Sequence, residues 1–467
     1  MKKVITTALL ISLTGLQMLP AFAESQTTTA SPKQFKSMVK KDKKISDDYK
    51  YEYVNLDWWE VFNDDILNGY IQKAISNNYD LKMATLNVEE YYQQSKIQFA
   101  NQLPQFQAGG GSGFFKMPGQ TKTSLGLGIP MIVNYEADIF LKNRDKTKSS
   151  KKLWENSKFD ERAAYIAIAG AVGTTYLNIA SLDKAIELQT EIVSLRKKIY
   201  DLMVLSNKEG LVSTTDTINA NKNLVQGETD LIELKKNREV MLHQLCVLIG
   251  ESPENAHSLS RKSIDEINYN NYIPDYIQSE VITQRPDYLK AENSVEKAGI
   301  DVRVARKEFL PSINLLGGGI FSSDDFGSIF TTSRMLLGLT GGIMAPFFTG
   351  GRNTANLRLK KATYERILQD YYKTNITAIQ EVSDALVKVK MDKQKVDQTL
   401  KQANLESADF KFTEMKYKEG TISLLELAQR KENLLYINQL VAQQKADFMV
   451  DYIGLYKATG SKLQIQQ

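Results

Sequence analysis

Apolar positions along this chain follow two periods. From about Asp145 to Glu209 no proline interrupts the sequence. Within that stretch Leu188, Ile192, Leu195, Ile199 and Leu202 recur in steps of four and three, the seam of a coiled coil. Val382, Leu386, Val389, Lys393, Val396, Leu400 and Ala403 keep the same rhythm farther on, with Lys393 an imperfect seam position. A helix of about 60 residues is about 90 Å long at 1.5 Å per residue. That is too long for the inside of one compact core. Elsewhere the period drops to two. LPQFQAGGGSG (103–113) and LPSINLLGGGI (310–320) each read Leu-Pro, a polar/apolar alternation and three glycines. TSLGLGIPMIV (123–133) and MLLGLTGGIMAPFF (335–348) supply the returning strands, joined through a turn at Met117–Gln120 and a polar loop at Ser322–Ser333. The pattern predicts two β-hairpins, about 105–136 and 312–347, with Pro104 and Pro311 where helix gives way to strand.

The repeated phrase belongs to a duplication of nearly the whole chain. NNYDLKMA (77–84) returns as QRPDYLKA (284–291), DIFLKNR (138–144) as PFFTGGR (346–352), and KEGLVS (208–213) as KEGTIS (418–423). The offset drifts from 207 to 210, as small insertions require, and both copies end on glycine, Gly250 and Gly460. This period is far longer than that of a solenoid. The expected organisation is a first repeat over 55–250, a connecting segment over 251–275, a second repeat over 276–460 and a tail over 461–467. Each repeat reads helix, β segment, long helix, glycine turn, long helix. Asp57 is the expected N-cap of a helix running toward Asn101. The small residues of AAYIAIAGAVGTTY (163–176) allow close helix approach.

Composition narrows the setting. The chain has 467 residues, 42% hydrophobic and 24% charged, as a folded protein does. Lys2 and Lys3, an apolar run and Ala21-Phe22-Ala23 form a secretory signal peptide over 1–23, followed by an irregular, Lys-rich segment over 24–54. Removing the signal lowers the net charge from +4 to +2, which gives no reason to expect nucleic acid. No later run of 18 apolar residues predicts a transmembrane helix. The single cysteine, Cys246, lies in an apolar run and reads as a buried thiol. His243 and His257 have no ligand-spaced partners, and no phosphate-binding glycine motif is present. Neither an enzyme nor a cofactor is expected.

Each strand has the length a tilted strand needs to cross a bilayer. Four strands cannot close a barrel, and an open sheet edge cannot face lipid. If the strands span a membrane, several chains must share one barrel; two would give eight strands and three would give twelve.

These pieces, in this order, resemble an outer-membrane factor, the TolC-like family of NodT type. WWEVFNDDILNGYIQKAISNNYDLKMA (58–84) is similar to the family's opening motif. RPDYLKAE (285–292) and ARKEFLPSI (305–313) match second-repeat motifs, while GLVSTTD (210–216) and YKEGTISLLEL (417–427) resemble its two helical tips. The resemblance implies a mainly α fold with transmembrane β: a homotrimer whose two hairpins per chain build a shared 12-stranded barrel above a long α-helical periplasmic tunnel. It implies a passive efflux duct in the outer membrane, in contact with outer-membrane lipid, a periplasmic adaptor and an inner-membrane pump. A duct for type I protein secretion and a periplasmic coiled-coil adaptor are the alternatives. The strand turns would then be extracellular and the glycine tips periplasmic. Gly210, Leu211, Val212, Ser213 and Gly420, Thr421, Ile422, Ser423 would meet the adaptor. Asp216 and Tyr417 fall where the family closes its tunnel with an aspartate, a tyrosine and an arginine, but Ile422 stands at the arginine position. Glu426 maps to an acidic ring facing the lumen, and Gln429 leaves a second ring neutral. Many NodT-type members carry a lipidated N-terminal cysteine; Glu24 takes that place, so no lipid anchor is expected.

Overall fold

A computed structural model of the protein describes residues 58–115, 124–268, 273–274, 277, 279–323 and 335–460. The expected signal peptide, the 24–54 segment, Asp57, the Met117–Gln120 turn, all of the 322–333 loop after Ser323, and the 461–467 tail lie outside the described residues. A 3₁₀ turn at Trp58–Phe62 precedes α1 (Asp65–Asn77), α2 (Tyr79–Ala100), β1 (Gln105–Ala108), β2 (Gly111–Phe115) and β3 (Ser124–Ala137). The two-helix hairpin α3 (Lys142–Lys208) and α4 (Thr214–Leu248) follows. After 3₁₀ turns at Pro253–Ser258 and Ser279–Gln284, the second repeat runs α5 (Pro286–Lys307), β4 (Ser312–Ser323), β5 (Met335–Met344), α6 (Arg352–Lys418) and α7 (Leu424–Thr459).

The long seams form as their spacing requires. α3 and α6 have 67 residues each, about 100 Å of helix. Leu188 and Ile192 are buried in the first, and Val382, Val389, Val396 and Ala403 in the second. Lys393 is accommodated by lifting its ammonium over the Phe448 ring, 5.8 Å from the centroid, and toward Asp397. One window of α3 is apolar enough to cross a membrane by composition, but half of it is buried in protein. Gly170 and Gly173 explain that burial. A Cβ at either would stand 2.7 Å from Lys457 Cδ or 2.8 Å from Ile453 Cδ1.

The helices lie side by side. In the half nearer the sheet the order is α2–α3–α5–α6; in the half nearer the glycine turns it is α4–α3–α7–α6. The long helices run through both halves, and the shorter ones meet end to end. In each repeat the cap of the upper helix closes that splice. Asn78 Nδ2 donates to the Leu248 carbonyl at 2.9 Å, and Arg285 Nη1 donates to the Ala458 carbonyl at 2.7 Å. These bonds satisfy carbonyls that a helix end leaves without partners. Gly250 (φ 76°) and Gly460 (φ 69°) turn the chain there, pressed against Asn77 and Arg285. An aromatic cluster packs the same level: Trp58 stacks on Tyr456 at 5.8 Å, Tyr452 meets Phe62 and Phe448, and the buried Tyr176 hydroxyl donates to Asp64 at 2.7 Å.

Two expectations change. The first helix does not run unbroken from Asp57. Asn63 takes a left-handed φ of 50°, Asp64 caps α1 by accepting from Ile66 N and Leu67 N, and Asn78 breaks the run to cap α2. The first strand is also split in two, at Gly109–Gly110. The register does not slip: Ala108 faces Met131 and Gly111 faces Gly128. Pro130 stands opposite Gly109, accepts from its N–H at 3.0 Å and has no N–H to return.

Candidate functional site

Strand order is β1–β3–β4–β5, all antiparallel, with β2 continuing the β1 arm along β3. The sheet is four strands wide, and among the described residues β5 and the β1/β2 arm each have one neighbouring strand only. Register sorts the side chains. Phe106, Val133, Gly317 and Leu339 align across the strands, as do Ala108, Met131, Gly319 and Leu337. That face also carries Ile129, Leu315 and Phe321. The opposite face carries Gln105, Gln107, Asn134, Asn314, Thr340 and several glycines, interrupted by Ile132, Leu316, Ile320 and Leu336. Gly317 and Gly319 floor an apolar groove of about 570 Å³ on the first face.

At the opposite end each helical hairpin turns through one glycine. Gly210 and Gly420 both adopt φ 73°. Leu211 N–H returns to the Ser206 carbonyl at 2.8 Å, and Thr421 N–H to the Lys416 carbonyl at 3.0 Å, which closes both C-termini. Leu211 is exposed, and Val212 and Ile422 are half-buried. Ser213 and Ser423 then cap the returning helices.

The predicted gate residues lie at these tips. Asp216 completes a capping box: its carboxylate accepts from Ser213 N–H at 3.1 Å and Ser213 Oγ at 2.7 Å. Those bonds hold its pKa below the ordinary carboxylate value. Among the described residues the Asp216 carboxylate bonds only Ser213. Tyr417 is exposed on the last turn of α6, and its carbonyl accepts from Gly420 N–H. Glu426 stands where Asp216 does, yet only its N–H takes part in capping, donating to Ser423 Oγ at 3.2 Å.

Sequence reasoning missed a cluster between the hairpins. Arg196 of α3 donates through Nε to Glu432 Oε1 at 3.1 Å, through Nη2 to the same carboxylate and to Tyr436 Oη at 2.8 Å, and through Nη1 to the Asn223 carbonyl at 2.7 Å. Burial opposes the charge on Arg196, but the Glu432 carboxylate outweighs it and raises the pKa. The available signal was Gly227, a glycine inside an otherwise strong helix.

The family model described as "Outer membrane efflux protein" matches residues 70–251 and 277–461. The antibiotic efflux pump outer membrane protein ArpC of Pseudomonas putida is 26% identical, over 86% of this chain and 84% of that protein. The cation efflux system protein CusC of Escherichia coli is 24% identical, over 96% of this chain and 97% of its own. The crystal structure of the Campylobacter jejuni CmeC outer membrane channel superposes with a TM-score of 0.80 at 25% identity, covering 87% of this chain and 88% of that one.

Proposed function

The chain belongs to the outer membrane efflux protein family, and on that premise we propose that three copies assemble into one passive duct. Each contributes four strands to a 12-stranded barrel, and the helices continue the duct as a tunnel. The observation that carries this reading is the two-faced sheet with open edges, mounted on helices about 100 Å long. Its apolar face suits lipid and its glycine-rich polar face a wet lumen. Open edges at β1/β2 and β5 are tolerable in a bilayer only when another copy pairs with them.

Energy for transport comes from elsewhere, from an inner-membrane pump working through a periplasmic adaptor. The exposed tips around Gly210 and Gly420 are the surface that would meet the adaptor. Closure falls to the same level, with Asp216 and Tyr417 at the narrowing and Glu426 facing the lumen. The cargo is a small molecule. Cys246 is buried in α4, out of reach of an acyl anchor. Mass measurement of detergent-extracted protein, with planar-bilayer conductance on the same sample, tests the reading. A conducting trimer is expected. A stable monomer, or a trimer that never conducts, would overturn it.

A further inference from the structure

In the half nearer the tips, the main joint between the two helical hairpins of a protomer is α3 against α7. Arg196 sits on that joint and touches three helices at once. Its guanidinium reaches Glu432 and Tyr436 of α7 on one side and the Asn223 carbonyl of α4 on the other. The Arg196 and Glu432 side chains are 13% and 19% exposed, so solvent screens this pair far less than it screens Lys431–Glu191 nearby, at 31% and 50%. Gly227 explains how an arginine fits. A Cβ there would stand 3.1 Å from Arg196 Nη1 and 3.3 Å from its Cδ. Glycine weakens a helix interior, and here it opens a recess for the guanidinium. Just above, Gln189 donates to the Gly227 carbonyl at 3.1 Å, and Gln439 donates to Gln189 at 3.2 Å. The arrangement is not a by-product of the duplication, because the positions 210 residues on from Arg196 and Gly227 are Glu406 and Ile437.

We propose that Arg196, seated in the Gly227 recess and bound to Glu432, is a clasp that holds the two hairpins in register and so sets the resting width of the tunnel tip. Arg196 lies 14 residues before Gly210, about 20 Å from the turn at helical rise. Widening a ring of helical hairpins needs neighbouring hairpins to slide or tilt, and any such motion across this joint breaks the clasp. The Asp216 carboxylate, bonded within its own turn, does not cross the joint. The inference rests on the duct reading and adds a second control above the tips.

The test compares full-length wild type with Glu432→Gln, Arg196→Met, Gly227→Ala and the exchange Arg196→Glu with Glu432→Arg, all reconstituted in planar bilayers. Losing a charge-assisted network should raise the fraction of time in the wide state roughly tenfold in the first two. Gly227→Ala should give a smaller rise, because the added Cβ only displaces the guanidinium. The exchange should recover part of the resting state, which a purely space-filling role would not allow. Amide hydrogen exchange at 205–220 and 415–430 should quicken in the same variants. Unchanged conductance and exchange in both Glu432→Gln and Arg196→Met overturns the clasp. So does failure of the near-isosteric Glu432→Gln to assemble, since the pair would then serve assembly. A wild type that never conducts sinks the duct reading instead, and exchange at the tips still decides the clasp.

Discussion

At the end of α3, Gly210 takes φ 73° and Ser213 opens the returning helix; at the end of α6, Gly420 takes the same φ and Ser423 does the same work. At the splice, Gly250 and Gly460 repeat the agreement, and a side chain from the upper helix bonds the carbonyl of the lower one in both halves. The side chains in those matched places are not matched. Asn78 closes one splice and Arg285 the other. Asp216 is consumed by a capping box, whereas the Glu426 carboxylate is not. Backbone devices survived the duplication because each satisfies a geometric need that either copy has. In the proposed ring of six hairpins only some faces would meet the lumen or a neighbour, which is where charges are free to diverge.

The four turn glycines give the sharpest way to break that equivalence. All have similar φ, but a Cβ at Gly250 would lie 2.7 Å from the Asn77 carbonyl oxygen and one at Gly460 3.0 Å from Arg285 Cα. At Gly210 and Gly420 it would meet nothing within 4 Å. Gly250→Ala and Gly460→Ala should therefore cost roughly 3 kcal/mol or more, strain plus overlap. Gly210→Ala and Gly420→Ala should cost about 1 kcal/mol, the left-handed conformation alone. Thermal unfolding of the four variants measures the gap. Equal shifts would mean that the splice relaxes freely.

The two splices should separate next. Arg285 is buried, and it holds Asp287 and Glu381 as well as the Ala458 carbonyl. Arg285→Met should cost about 2–3 kcal/mol, since two carboxylates lose their partner. Asn78→Ala removes one cap and one carbonyl bond and should cost about 1–2 kcal/mol. The same unfolding assay ranks them, and the reverse order would mean that the carboxylates around Arg285 are relieved by solvent.

The tips should differ in function more than in stability. Asp216→Ala opens the capping box and should loosen the start of α4, raising resting conductance, and Tyr417→Phe should raise it as well. Glu426→Gln leaves its capping N–H in place and should change ion preference instead, because a ring of carboxylates draws cations. Single-channel recordings in asymmetric salt separate the two outcomes. A change of selectivity in Asp216→Ala without a change in Glu426→Gln would exchange their roles.

How much of this was legible follows the range of each interaction. Seam spacing, the repeat offsets and the paired Leu-Pro and glycine phrases are local patterns, and they predicted long helices of about 60 residues and four strands in two hairpins. The break at Gly109–Gly110 was hidden because its cause, Pro130, lies on another strand. Asp216 sits at the expected spacing from Gly210, but that spacing did not announce the capping box its carboxylate makes with Ser213. Arg196, Asn223, Glu432 and Tyr436 come together from three helices; only the cost of Gly227 left a trace in the sequence.

The smallest expected effect follows from a place where one repeat is charged and the other is not. Asp451 of α7 lies beside Asp392 of α6, while the positions 210 residues earlier are Met241 and Leu182. Burial first, and the Asp392 carboxylate second, push Asp451 up to about 6; Asp447 adds to this and Lys388 opposes it. The folded state therefore binds this proton more tightly than the unfolded chain, whose aspartates titrate near 3.9. Its contribution to stability is fully present below that lower value and is lost as pH rises through about 6. Asp451 is only half-buried, so the loss should be a fraction of what a dry site would show. Asp451→Asn should flatten the pH dependence of the unfolding temperature between about pH 4 and pH 6. It should also raise that temperature slightly at pH 7, where the wild type holds two carboxylates side by side. A wild-type protein that gains stability as pH rises through that window would place the control of acid response elsewhere, and the second repeat would then be no more acid-tolerant than the first.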